Sequence, residues 1–253
     1  MAPRSRAAPD GAPCEPPGAP VTIERIPKPD GGHRALVRLG ADDGWRYAAA
    51  VLAVLPEVER ALASTVFANR AMRTEGAATG RAILEPWPTA RARYLRAVRA
   101  AGSVPGRAWF VGDVADCYGS ITPRVVGRAL RSMGVDPRLT TGIETLLRSF
   151  EDRGVRGLPI GPAPSAVLAN AVLASVDHAV ARAAGAPALR WVDDVVVVAP
   201  RASRARAAEA AYERSLRKIG LRPHPVKTRV VEDHRPLLEA PSGAPAPPGS
   251  SVA

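Results

Sequence analysis

Cysteine is scarce: the chain has two in 253 residues. Cys14 lies in a loose Pro- and Ala-rich segment and Cys117 in an apolar stretch. A disulfide framework is therefore excluded, and a reducing, cytoplasmic setting is the expectation. Long apolar runs are missing as well. The first twenty residues carry basic groups without the continuous apolar core of a secretory leader, and no later stretch reads as long enough to span a bilayer. No internal repeat is visible, which argues against a solenoid or propeller. His178 and His224 have no companion at metal-ligand spacing, so neither is given a role. Acids are the minority charge, 24 against 35 Lys and Arg, for a net +11. That balance favours a polyanionic partner, because each cation brought to a phosphate releases condensed counterions. A compositional bias towards Arg in a chain rich in Ala, Pro and Gly is the other reading of the same surplus.

With 46% hydrophobic residues, the chain can bury one sizeable core. Residues 1–20 and 233–253 are rich in Pro, Ala, Gly and Ser and are expected to be disordered. Two extended pieces, Val21 to Pro27 and Arg34 to Leu39, flank the turn signal Pro29, Asp30, Gly31, Gly32. Apolar residues recur at helical spacing from Asp42 to Arg73, divided by Pro56 into two helices, and a third helix is expected over Ala90 to Ala101. The second half reads as a strand (Arg107 to Val114), helices at Pro123 to Met133, Pro137 to Phe150 and Ser165 to Ala184, a hairpin, a helix over Ala202 to Ile219, and a strand near Thr228 to Val231. This order predicts an α+β fold: a split βαβ, ferredoxin-like antiparallel sheet with helices on one face.

Adjacent acids interrupt an apolar run in Trp191, Val192, Asp193, Asp194, Val195, Val196, Val197, Val198. The β-branched residues make the run a buried strand and put the acids at a hairpin turn. Neighbouring carboxylates repel each other, and a divalent cation offsets that repulsion; a polar turn between core strands is the plainer alternative. The strand ending in Val111, Gly112, Asp113 delivers another acid, and in a split βαβ sheet it can lie beside the hairpin. Two or three carboxylates meeting at one point make an oxygen-ligand site for magnesium. Two such ions activate a hydroxyl and stabilise the leaving oxygen of a displacement at phosphorus.

Asp113 to Ile121, then Gly157, Leu158, Pro159, Ile160 and Gly161 with Ser165, Leu168 and Asn170, then Trp191 to Asp194, then Gly220 and Leu221 with Lys227 and Thr228, resemble in order and spacing the polymerase motifs of reverse transcriptases. Ile26, Pro27 and Lys28, with Gly32 and Arg34, are similar to a fingers motif of bacterial members such as group II intron, retron and phage-defence enzymes. The resemblance covers about residues 23–231. It implies a fingers region at 21–106 and a palm at 107–232, with 136–157 as a candidate return to the fingers. It further implies that Asp113, Asp193 and Asp194 bind two magnesium ions, with manganese as an alternative ion. Lys28 and Arg34 would neutralise the triphosphate, Tyr118 would close over the sugar edge, and Lys227 would sit near the pyrophosphate. The loop of Leu158, Pro159, Gly161 and Ser165 would lie beside template and nucleotide. Implied partners are an RNA template, a DNA or RNA primer and deoxynucleoside triphosphates, with no membrane.

The chain departs from the family pattern at several points. Ile160 stands where many relatives have Gln, Cys117 replaces a common aromatic, and Trp191 replaces Tyr or Phe before the acids. No helical thumb is visible after Lys227, so a protein partner that supplies one, a binding role with little synthesis, and untemplated synthesis are the alternatives to templated polymerisation. Asp116 reads as a turn residue or a site residue, and Arg70 as a fingers arginine or a surface helix residue.

Overall fold

Most of the architecture follows from where apolar residues repeat every second or every third to fourth position. The computed structural model describes residues 21–27, 32–72, 84–104 and 107–231. The expected loose ends, and Lys28 in the first turn, lie outside these residues. Strands β1 (Thr22–Pro27) and β2 (His33–Arg38) form an antiparallel hairpin, in register from Thr22↔Arg38 to Pro27↔His33, as expected. Helix α1 (Ala41–Leu52) turns Asp43, Tyr47 and Val51, spaced by four, into the interior. In α2 (Leu55–Ala61), Pro56 occupies the first turn, where its missing N–H breaks no helical bond.

The expected helical run through Val66 stops early. Arg190 N donates to Thr65 O (2.9 Å) and Phe67 N donates to Arg190 O (3.1 Å), so a sheet edge captures this segment. Ladder hydrogen bonds outweigh the weak helical preference of Ser64, Thr65 and Val66. The last residue of that expectation, Arg73, lies outside the described residues.

Helix α3 (Trp87–Gly102) begins a turn earlier than expected. Then follow β3 (Ala108–Gly112), the single turn α4 (Cys117–Ser120), α5 (Pro123–Ser132), α6 (Pro137–Glu151), α7 (Ala163–Ala184), β4 (Ala188–Trp191), β5 (Asp194–Ala199), α8 (Ala202–Lys218) and β6 (Arg229–Val231). The four later strands are ordered β4-β5-β3-β6, with every neighbouring pair antiparallel. This is the split arrangement read from the sequence.

Helices cover both faces of the sheet, not one. Val195, Val197 and Ala199 of β5 share a core with α7 and with Ala205, Tyr212 and Leu216 of α8. Val196 and Val198, on the opposite face, pack with Trp109, Leu189, Trp191, Phe67 and the α3 residues Tyr94 and Val98. Four consecutive valines have no solvent face, so a helix must lie on each side. Burying each valine contributes about 1.5–3 kcal/mol. Helix α7, 22 residues, is long and apolar enough to cross a membrane, contrary to the expectation that no segment is, and 67% of its apolar window is buried within this fold. The core that it crosses runs from Val37 and Tyr47 to Leu221, joining the helical first half to the sheet.

Candidate active site

Strands β4 and β5 are joined by only Val192 and Asp193, with Trp191 paired to Asp194 at the end of the ladder. Val192 has φ 56°, the sign such a tight turn requires at its first position and one a β-branched side chain resists. Such strain costs about 1–3 kcal/mol and persists only where surroundings hold it. The holder is Arg190, 2% exposed. Its Nη1 donates to Val192 O (2.8 Å) and Asn170 Oδ1 (2.7 Å), and its Nε to Asp177 Oδ2 (2.7 Å). Asn170 in turn donates from Nδ2 to Ala68 O (3.0 Å). On the other face of β4 the Trp191 ring meets the rings of Trp87 (5.7 Å) and Tyr94 (5.6 Å), with the Arg91 guanidinium 5.0 Å from its centre.

Asp113 follows β3 directly. The β3–β5 register ends at Gly112↔Val195, and one further step sets Asp113 opposite Asp194. The backbone of Asp113 is clasped by the chain after α8: its carbonyl accepts from His224 N (2.7 Å), and Ala115 N donates to Arg222 O (2.9 Å). Thr228 Oγ1 also donates to the Asp113 carbonyl (3.3 Å). Lys227 Nζ donates to Asp113 Oδ2 (2.8 Å). His224 shapes the turn that delivers this lysine, since its Nδ1 accepts from Val226 N (3.3 Å) and Lys227 N (3.4 Å).

The charges respond to one another. Removal from water pushes the Asp193 carboxyl up, the Asp113 charge adds to this, and its own backbone N–H, Lys227 and Arg34 oppose it. Asp194 keeps contact with solvent at the mouth of the site, yet the protein around it, then Asp193 and Asp113, push its carboxyl up to about 7. Lys227 is held protonated above its ordinary range, first by its hydrogen bond to Asp113. Arg34, exposed on β2, acts electrostatically on Asp193, as Lys227 does.

Tyr118, half-buried on α4, packs against the main core. Burial, then Cys117 and Asp193, raise its phenol above the usual range. Its carbonyl accepts from Leu158 N (2.9 Å). Gly157 makes this clasp feasible: with φ +67°, a Cβ there would lie 2.3 Å from the Tyr118 carbonyl oxygen. The loop is also hooked to β2, where Val37 N donates to Ile160 O (2.7 Å).

Of the loop residues singled out from sequence, only Gly161 is exposed; Leu158 and Pro159 are buried. Ser165 lies in the first turn of α7, wholly buried, and shares a hydrogen bond with Tyr47 Oη (3.0 Å). Asp116 pairs with Arg156 (3.1 Å) at an exposed turn. Arg70 belongs to no helix and pairs with Glu59 (2.8 Å). Cys117 is a free, buried thiol whose pKa burial raises.

Sequence reading missed Arg190, His224 and Tyr212. Tyr212, on α8, packs its ring against Phe110 (5.4 Å between centres) and against Gly112, where a Cβ would approach within 3.0 Å. Its hydroxyl is buried without a hydrogen-bond partner and is raised by burial and then by Asp113, Cys117, Asp193 and Asp194. An apolar helix face gives no sequence signal for that placement.

Mutually repelling carboxylates beside an orphaned hydroxyl are the chemistry that a hard divalent cation satisfies with oxygen ligands, so the donor set fits the implied magnesium. Among the described residues, no group of three or more His, Cys, Asp or Glu side chains is gathered closely enough to hold an ion as it stands. The expected meeting of the carboxylates at a single point is thus replaced by neighbouring acids, one of them engaged by Lys227. No curated protein matches the chain. Residues 26–238 do match the family model for reverse transcriptase (RNA-dependent DNA polymerase). That match spans most of the 253 residues and includes β2, the four-stranded sheet and the acids: the chain belongs to the reverse transcriptase family.

Proposed function

We propose that this chain adds deoxynucleotides to a primer 3′-hydroxyl on an RNA template, with Asp113, Asp193 and Asp194 as its catalytic acids. The observation that carries this reading is the register that sets Asp113 opposite Asp194 at one end of the sheet, with Lys227 on the Asp113 carboxylate. Its family membership makes the chain a reverse-transcriptase-like nucleotidyltransferase, for which a nucleic-acid template, a primer and nucleotides are the implied substrates. Asp113, Asp193 and Asp194 would hold two magnesium ions, or manganese, which when bound activate the primer hydroxyl and stabilise charge on the leaving oxygen.

The chain's own groups do the rest. Lys227, cationic throughout the neutral range, neutralises the pyrophosphate as it departs, while Arg34 and Lys28 take the triphosphate. Tyr118 presents its ring to the sugar edge and discriminates against a 2′-hydroxyl. Leu158, Pro159 and Ser165 support from the interior a loop whose exposed part, at Gly161, lies beside template and nucleotide. Residues 21–106 serve as fingers and 107–232 as palm, with 136–157 returning to the fingers, in a cytoplasmic enzyme of the bacterial group II intron, retron and phage-defence branch.

Primer extension with magnesium on an RNA template tests this reading. Asp193→Asn is expected to lower incorporation by at least about 100-fold, in line with the loss of a metal-site group. Equal incorporation by variant and wild type would overturn it.

A further inference from the structure

Beside the Tyr118–Leu158 clasp lie two adjoining cavities of about 590 and 660 Å³ that share Ser120, Thr122, Glu151 and Gly220 and are lined by none of the three acids. Together they form one open trough between the start of α5, the end of α6 and the end of α8. Cations line it from every side: Arg124 and Arg128 of α5, Arg148 of α6, and Arg217 and Lys218 at the end of α8. Arg156 and Arg222 close the end nearer the clasp. Seven of the eighteen residues lining the two cavities are therefore basic, against 35 of 253 in the whole chain. Glu151 is the one acid among them.

The composition bias that raises arginine everywhere does not account for this enrichment. Some of these cations have partners: Arg148 pairs with Glu144 (3.3 Å), Arg156 with Asp116 (3.1 Å), and Arg128 donates to Lys218 O (3.3 Å). Arg124, Arg217, Lys218 and Arg222 are exposed and form no ion pair among the described residues. Helix α5 also begins in the trough, with its Thr122 cap, and adds the positive end of its dipole.

We propose that this trough is a second nucleic-acid site, which holds the phosphodiester backbone of a strand along the start of α5 and the ends of α6 and α8. Guanidinium forks set along an open groove match successive phosphates. No aromatic side chain lines either cavity, so bases have no platform to stack on, and binding there reads charge and spacing without sequence. The floor includes Gly119 and Gly157, the backbone that holds Tyr118 to the loop, so a strand in the trough adjoins the catalytic region without entering it. The choice of nucleic acid over an acidic protein rests on the polymerase reading of the chain.

The test is equilibrium binding of the full chain to a labelled 30-nucleotide single-stranded RNA across a salt series, without nucleotides. The variant Arg124→Gln/Arg217→Gln/Arg222→Gln is compared with wild type and with a charge-matched control, Arg60→Gln/Arg96→Gln/Arg99→Gln. Each lost phosphate contact lowers the slope of log affinity against log salt by about 0.7 for a single strand. The trough variant is expected to lose about 2 from the slope, and the control much less, with melting temperatures of all three proteins alike. Equal slopes for trough variant and control would overturn the proposal, as would displacement of the RNA by polyglutamate as readily as by unlabelled RNA. Binding is read without synthesis, so an inactive or fully active Asp193→Asn variant leaves this outcome distinct from that of the polymerase reading.

Discussion

At the residue scale, Arg190 ties the geometry of the proposed catalytic turn to stability. It is buried with Asp177, which is 3% exposed, and its third partner is the carbonyl of the strained Val192 beside Asp193. Arg190→Met leaves the Asp177 carboxylate without its counter-charge and is expected to destabilise the fold by about 3–5 kcal/mol. Adding Asp177→Leu removes the stranded charge, and much of that stability should return, since an apolar pair of similar volume is often neutral. Primer extension should not return, because nothing then holds the Val192 turn. Recovery of both in urea denaturation and extension assays would show Arg190 to be structural only. The sequence makes Asp113, Asp193 and Asp194 conspicuous, since charges within or at the ends of apolar runs need a reason, while Lys227 stands out only through the family resemblance. Arg190 is hidden, because one arginine within a short strand looks like an outward-facing residue. Only the fold shows Asn170 and Asp177 of α7 waiting beneath it.

At the element scale, regular periodicity was readable and capture by a distant edge was not. The spacing of Val51, Val58 and their neighbours gives α1 and α2 correctly, but it cannot foresee that Arg190 will hydrogen-bond on both sides of Val66. The four-valine run did carry the sign of a sheet covered on both faces; counting helices in order missed it. Loops fall between these cases. The glycines of the Gly157–Gly161 loop stand out, but their purpose is a close approach that requires the tertiary structure. Gly157→Ala meets both a left-handed φ and the Tyr118 carbonyl, whereas Gly134, at φ +80°, has nothing within 4 Å of a built Cβ. Gly134→Ala therefore measures the backbone term alone, about 1–2 kcal/mol. Gly157→Ala is expected to cost more than that, by at least the roughly 0.5–1.5 kcal/mol of the Leu158–Tyr118 hydrogen bond. Equal midpoints of urea unfolding for the two variants would show that the clasp contributes nothing.

At the scale of the whole molecule, a chain of net charge +11 concentrates three acids at one end of its sheet. The Asp194 carboxyl has its folded value raised to about 7 from an ordinary value near 4. The unfolded chain therefore releases this proton first as pH rises. Its contribution favours folding fully below about pH 4 and is lost progressively as pH climbs towards about 7. Asp193, shifted in the same direction, adds to the decline. Other groups titrate over this range, so the informative quantity is the difference in melting temperature between wild type and Asp194→Asn. That difference is expected to grow in favour of the variant from pH 4.5 to pH 7.5. A hard cation binds the ionised carboxylates and competes with protons, so magnesium should raise the wild-type melting temperature more at pH 7.5 than at pH 4.5, and raise that of Asp194→Asn less. A magnesium effect of the same size at both pH values, and in both proteins, would place cation binding away from these acids. The pH profile thus bears on what the apposition of β3 and the β4–β5 hairpin is for. If the profile behaves as expected, the sheet holds its acids together at a cost in stability that a bound cation offsets.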